Sequence, residues 1–464
     1  MSNNELVYTS ATSLAQAIRE RKVSSAEVVA AHLERIEAVN PSLNAIVQLA
    51  SETARAQAKA ADAALARGQL IGPLHGVPVT IKDALETAGL ISTGGTLGRA
   101  TYIPPQDAPV VARLRAAGAI ILGLTNVPEM SYGYESDNLI YGRTNNPYDL
   151  ARTAGGSSGG EAAIIAAGGS PLGLGGDFAG SIRVPAHFCG IAGLRPTPGR
   201  APGTGYLPML GGLVGMLSQN GPLARYVEDL SLMLPIIAGA DWRDPRVVPM
   251  PLGDPGQVNL KSLKVAFYTE NGIVPPTSET AGAVKAAAQV LAEAGLTVVE
   301  DRPPCLEQST ELFLALLSAD GGAGMDMALQ LAGTQQVHPA LQGLLESMRP
   351  HALSAAEFMG LWYRWDMWRS VLLSFMERYD VILSPVCAYP AMPHGTTGQH
   401  LAAFSYVQTY SLTASPAVVV RAGVSPEGLP IGVQIVPRHW REDVALAVAQ
   451  QIETALGGWQ RPLI

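Results

Sequence analysis

Residues 152–188 read RTAGGSSGGEAAIIAAGGSPLGLGGDFAGSIRVPAHF, and the organisation of the chain turns on how this stretch is parsed. Within it, SPLGLGGD (170–177) is a short apolar run bounded by Gly and Asp, which reads as a buried strand. The same signal recurs outward in both directions, in GVPVTIKD (76–83), AIILGLTN (119–126), SLKVAFY (262–268) and YDVILSPV (379–386). Helical spacing fills the intervals, in APVVARLRAAG (108–118) and TAGAVKAAAQVLAEAG (280–295). It also opens the chain over 12–22, over 25–39, where Ser24 and Glu27 are spaced as a capping box, and over the Ala-rich 52–68. Strands alternating with helices predict an α/β fold, with a mainly parallel or mixed sheet covered on both faces.

The 464 residues show no sharp change of composition and no linker, so one large unit is expected, without repeats. The stretch from about 300 to 375 reads as helical and rich in Met, Leu and Trp: a layer on the sheet, or an apolar wall or lid. An apolar share of 47% against 15% charged residues leaves ample material for a core. The N-terminal MSNNELVYTS lacks a basic and apolar leader pattern, and no apolar run approaches the ~18 residues of a membrane span, so a soluble, cytoplasmic protein is expected. Cys189, Cys305 and Cys387 are scattered and have no metal-binding spacing, which reads as free thiols and no metal. A net charge of −8 without a basic cluster argues against a nucleic-acid partner.

The serines of the opening stretch raise the question of chemistry. GSSGG (156–160) matches the G-x-S-x-G elbow with Ser158 at its centre, but the preceding NNPYDLARTA reads as a turn, and none of the downstream histidines sits in a catalytic-looking segment. A phosphate-loop reading lacks the Lys-Ser/Thr ending, while close backbone packing explains the glycines but not DFAGSIRVP. His187 is the one histidine nearby. Upstream, Lys82 ends an apolar strand, where it is either a rim residue paired with Asp83 or an amine of lowered pKa able to act as a base.

Taken together, GVPVTIKD, GLTNVPEMS, YGRTNNPYD, the block from Ala154 to Arg200, NGPLARYVEDLSLML and GLPIGVQIV resemble, in order, the amidase signature family of serine hydrolases. The resemblance implies the amidase signature fold over the whole of 1–464, a large central mixed, twisted β-sheet covered on both faces by α-helices, with a signature core at about 70–235. It implies a Ser–Ser–Lys triad with Ser181 as nucleophile, Ser157 as the bridge after a cis peptide bond, and Lys82 as base. An oxyanion hole of the backbone N–H groups of Phe178, Ala179, Gly180 and Ser181 is implied too, supported by Ser158, Asp177 and Arg183, with no cofactor. Two departures from the family block, Gly176 for Thr and Ala179 for Gly, put the loop geometry and the substrate preference in question.

The segment after Arg200 holds Tyr206, Leu207, Met209, Leu210, Leu213 and Met216, which with Met130, Tyr132 and Tyr134 are candidates for a substrate wall as well as for core. An apolar wall suits apolar or aryl amides, and N-aryl carbamates by the same attack: the profile of an aryl acylamidase or urethanase working as a monomer or homodimer. The principal alternative is the glutamine-hydrolysing component of a tRNA-dependent amidotransferase, which also resembles this family. A hydrolase of small polar amides such as allophanate or malonamide would need charged pocket residues, and none is identifiable.

Overall fold

The short apolar runs become strands because both their faces are covered: Val79, Ile81, Leu122, Leu124, Leu172 and Leu174 are each fully buried. The computed structural model describes residues 2–208 and 211–464. Its strands are β1 (Ile46–Leu49), β2 (Pro78–Lys82), β3 (Ile120–Thr125), β4 (Asn145–Asn146), β5 (Asp149–Thr153), β6 (Leu172–Asp177), β7 (Ala192–Arg195), β8 (Gln219–Ala224), β9 (Lys264–Phe267), β10 (Thr297–Glu300), β11 (Val381–Pro385), β12 (Ala417–Val424) and β13 (Pro430–Pro437). All but β4 and β5 form one 11-stranded sheet in the order β1-β3-β2-β6-β8-β7-β12-β13-β11-β9-β10. Parallel pairs (β2 with β3 and β6, β9 with β10 and β11) mix with antiparallel ones such as β6–β8 and β12–β13, so the sheet is mixed, as the resemblance implies.

Successive residues of a strand feed opposite faces, and the two cores separate accordingly. Along β12, Val418 and Val420 enter one core and Ala417 and Val419 the other. The first is closed by helices including Ala11–Arg19, Pro109–Ala116, Val227–Ile237, Ser278–Glu293 and Glu442–Leu456; the second by Ser25–Leu43, Gly159–Ala166, Arg183–Phe188 and Ser405–Leu412. Burying a Val or Leu side chain contributes about 1.5–3 kcal/mol, so the two layers fix the sheet far more firmly than strand propensity could. Ser24 and Glu27 form the expected capping box: Ser24 Oγ accepts from the Glu27 N–H at 3.1 Å, and the Ser24 N–H donates to Glu27 Oε2 at 2.8 Å.

Between 300 and 375 the chain is helical as expected, in Ser309–Ser318, Ala323–Ala332, Pro339–Met348 and Ala355–Phe375. Of its tryptophans, Trp365 and Trp368 are buried, and their indole N–H groups donate to Leu412 O (3.1 Å) and Cys305 O (2.8 Å). Those two are core, not lid. One sequence-based expectation is corrected: NNPYDLARTA is not a bare turn, because β4 and β5 pair as an antiparallel hairpin beside the main sheet. The hairpin is polar because it flanks the sheet and buries little of itself. Among the described residues, no single helix is long and apolar enough to cross a membrane.

Candidate active site

Lys82 is the last residue of β2, and a strand buried on both faces carries its amine into the interior. Nζ lies 2.6 Å from Ser157 Oγ, 2.7 Å from the Tyr206 hydroxyl and 3.5 Å from Gly176 O. Burial lowers the Lys82 pKa to about 7, against the opposing attraction of Asp177 and Glu161. An amine poised there is neutral for much of the time at neutral pH and can accept a proton. Glu161, on the helix that follows Ser158, is itself pushed up to about 8 by burial, and its Oε2 accepts from Thr80 Oγ1 at 2.6 Å.

Ser157 follows β5 after a cis Gly156–Ser157 peptide bond, and its hydroxyl is turned to Lys82. Ser158 tethers the neighbouring segment, its N–H donating to Ser181 O at 3.1 Å and its Oγ to Gly176 O at 3.3 Å. The Ser181 main chain is thereby held against the residue beside Ser157. Between the side chains of Ser157 and Ser181 no hydrogen bond is formed, and the half-buried Ser181 Oγ has no partner among the described residues.

The loop Phe178–Ile182 is fastened at its base by a carboxylate. Asp177 Oδ1 accepts from the Gly180 N–H (2.8 Å) and Arg183 Nη2 (3.0 Å), and Oδ2 from the Ile182 N–H (3.1 Å) and Arg183 Nε (3.0 Å). Burial alone would push this carboxyl up, but Arg183 and Arg195 together hold it well below the ordinary carboxylate range. Arg183 in turn donates to Val407 O at 3.0 Å and Ser411 Oγ at 2.7 Å, which ties the loop to the helix Ser405–Leu412. Removing one member of a buried pair leaves the other charge uncompensated, so Asp177→Asn and Arg183→Met are each expected to lose about 3–5 kcal/mol in urea denaturation. A loss under about 1 kcal/mol would mean that the pair is not what fixes the loop.

Two of the sequence-based expectations for this loop change. The Gly180 N–H points into Asp177, so of the four N–H groups expected to face an oxyanion it is the one already bonded; those of Phe178, Ala179 and Ser181 have no acceptor among the described residues. The left-handed backbone (φ +117°) falls on Gly180 and not on Ala179, so the alanine is accommodated without strain. Tyr134, expected as a wall, is a clamp instead: its hydroxyl donates to Ala179 O at 2.9 Å while its ring stacks on Phe404 at 3.7 Å.

The remaining wall candidates divide. Met130, Tyr132 and Leu207 join Met325, Leu329, Leu341, Leu345 and Met348 in an apolar cluster between the signature core and the helical layer. Met130 is completely sealed within it, and Phe178 packs on Phe313 of the same layer at 5.9 Å between ring centroids. Tyr206 turns away from that cluster to Lys82. Leu213 is half-buried and Met216 exposed, while Met209 and Leu210 lie outside the described residues. His187 is structural: Nδ1 accepts from the Gly432 N–H at 2.8 Å, which leaves Nε2 to donate to Tyr389 O at 3.0 Å, and burial lowers its pKa to about 4. Among the described residues, no group of three or more His, Cys, Asp or Glu side chains is placed to hold a metal ion, and all three cysteines are free.

A family model described as Amidase matches residues 27–446. An indoleacetamide hydrolase of Bradyrhizobium diazoefficiens is 35% identical over 468 residues, spanning 97% of this chain and 86% of that one. An acylamidase of Rhodococcus erythropolis is 34% identical over 468 residues, spanning 98% and 96%. Among solved structures, that of a 6-aminohexanoate cyclic dimer hydrolase superposes with a TM-score of 0.88 at 28% identity, covering 98% of this chain and 99% of that one. The motifs around a buried lysine and its serine partner, the mixed sheet that carries them and likeness over nearly the full length agree: the chain belongs to the amidase signature family and is a hydrolase of amide C–N bonds.

Proposed function

We propose that this amidase acts through an acyl-enzyme on Ser181, with Ser157 as proton relay and Lys82 as base, and that its substrates are apolar or aryl amides together with N-aryl carbamates. The observation that carries the mechanism is the buried 2.6 Å contact between Lys82 Nζ and Ser157 Oγ, made by an amine whose pKa burial brings to about 7. A serine hydroxyl attacks well only when a neighbouring base takes its proton. Ser181 Oγ bonds to the carbonyl carbon as its proton passes to Ser157 Oγ, whose own proton passes to Lys82 Nζ. The oxyanion is received by the N–H groups of Phe178, Ala179 and Ser181, each such donor being worth about 2.7–4 kcal/mol of barrier. Collapse breaks the C–N bond, and the proton returns from Lys82 through Ser157 to the leaving nitrogen. Water then cleaves the acyl ester by the same relay.

The substrate class is supported by the partly buried Phe178 of the attacking loop, packed on Phe313 of the helical layer, and by the partly buried Tyr132 and Leu207. An aromatic and aliphatic lining of this kind takes up apolar groups and leaves a charged amino acid unpaired. The names of the relatives, for an indole acetamide and for acyl amides, point the same way. A carbamate presents the same carbonyl to the same nucleophile and donors.

The test is turnover of an aryl acetamide, a long-chain acyl anilide, an N-aryl carbamate and glutamine by the purified chain alone. Aryl amide and carbamate turnover, with kcat/KM for glutamine lower by about a hundredfold or more, is the expected pattern, since an apolar site has no partner for the glutamine charges. Turnover of glutamine alone would replace this reading with that of an amidotransferase component.

A further inference from the structure

Tyr206, a wall residue by its sequence context, is a structural partner of the lysine. Its hydroxyl accepts from Lys82 Nζ at 2.7 Å, nearly as close as Ser157 Oγ on the same amine at 2.6 Å. Three features hold it there. Leu85 and Tyr206 form an antiparallel bridge, flanked by the Leu207 N–H donating to Ala84 O (2.7 Å) and the Glu86 N–H donating to Gly205 O (2.9 Å), so the register between phenol and lysine is set just past Lys82. Gly176 leaves the space for the ring: a Cβ there would lie 2.5 Å from Tyr206 Cε2 and 2.9 Å from its hydroxyl oxygen. Ser131, brought round by left-handed backbone at Met130 (φ 54°) and Ser131 (φ 60°), offers its Oγ to the phenol at 3.5 Å.

We propose that Tyr206 is a positioning residue for Lys82: its oxygen accepts an N–H of the amine, so that the lone pair faces Ser157 and the ammonium formed on proton transfer keeps an acceptor. A neutral amine has two N–H bonds and one lone pair, and the contact to Tyr206 fixes which of them Ser157 meets. The inference rests on Lys82 being the base, as proposed above. The other charged and titratable groups facing Lys82 are Glu161 and Asp177, with Arg183 and Arg195 beyond the latter and Asp83 next along the chain; Tyr206 is the one in direct contact.

The test is the pH dependence of aryl amide hydrolysis by Tyr206→Phe, which keeps the ring against Gly176 and removes only the oxygen. The expected result is a fall in kcat of roughly tenfold to a hundredfold, with KM little changed, and an acid limb of kcat/KM moved down by about half a pH unit or more, because the lysine cation has lost an acceptor. Gly176→Ala, which expels the phenol from the opposite side, is expected to move the limb in the same direction. A limb that stays in place or moves up in the folded variants overturns the proposal, whatever happens to kcat. Lys82→Met, assayed in parallel, separates the two readings: retained activity there would remove the base assignment itself, whereas an inactive Lys82→Met with an unmoved Tyr206→Phe limb would remove only the role of the tyrosine.

Discussion

Replacing Ser181 by alanine is expected to reduce kcat on an aryl amide by roughly 10⁴-fold or more while leaving the fold intact, because a nucleophile that acts as one unit with its base takes most of the rate with it when lost. The side chain is half-buried and makes no hydrogen bond among the described residues, so the thermal midpoint should stay within a few degrees of wild type. Ser158→Ala is the informative contrast. Its hydroxyl donates to Gly176 O beside the lysine, so its loss disturbs the surroundings of Lys82 without removing a reacting atom. A fall of about tenfold to a hundredfold is expected there, within the range for losing a supporting contact. If Ser158→Ala instead matched the full loss and Ser181→Ala stayed active, the G-x-S-x-G reading of 156–160 would be the right one.

Lys82→Met is expected to lose activity on the same scale, roughly 10⁴-fold, since without the amine neither the attack on the carbonyl nor the departure of the amine has a proton carrier. Methionine matches the aliphatic stem and suits a fully buried site, so folding should survive. The companion effect is in the pH profile. Burial lowers the lysine pKa to about 7, so the neutral, active form dominates above that value and the protonated form below it. The kcat/KM of wild type should therefore rise with pH through about 7 and fall about tenfold for each unit below it. An acid limb centred near 4, where an ordinary carboxylate titrates, would assign the base elsewhere.

Much of this was legible in the sequence, and what was not had local causes. The strands around Val79, Ile121, Leu172, Val265 and Ile382 announced themselves because they are apolar and bounded by turn residues. The strand Gln219–Ala224 did not: QNGPLA carries Gly221 and Pro222 in its interior, a pattern that argues against a strand. It is one nonetheless, with Pro222 opposite Leu174 in the middle of the sheet. The hairpin Asn145–Thr153 was hidden by its polarity, which follows from lying beside the sheet.

At the site, Lys82, Ser157, Asp177 and Arg183 come together as the motifs suggest, because each is fixed by an element that the motif itself encodes. In the sequence Tyr206 and Tyr134 look like wall residues because nothing local marks them otherwise. One reaches Lys82 through a bridge to Leu85, the other reaches Ala179 O from 45 residues earlier, and such contacts are made by the fold alone. Gly176 reads as a lost hydroxyl in the sequence and as room for a phenol in the structure.

Whether Ser181 carries the acyl group can be decided by quenching the enzyme during turnover of an activated aryl ester or carbamate and digesting it. The added acyl mass is then located by fragmentation within the Thr153–Arg183 peptide, which contains Ser157, Ser158, Ser170 and Ser181. The adduct is expected on Ser181 alone, and none in Ser181→Ala. An adduct on Ser157 or Ser158, or labelling that persists in Ser181→Ala, would contradict the acyl-enzyme assignment.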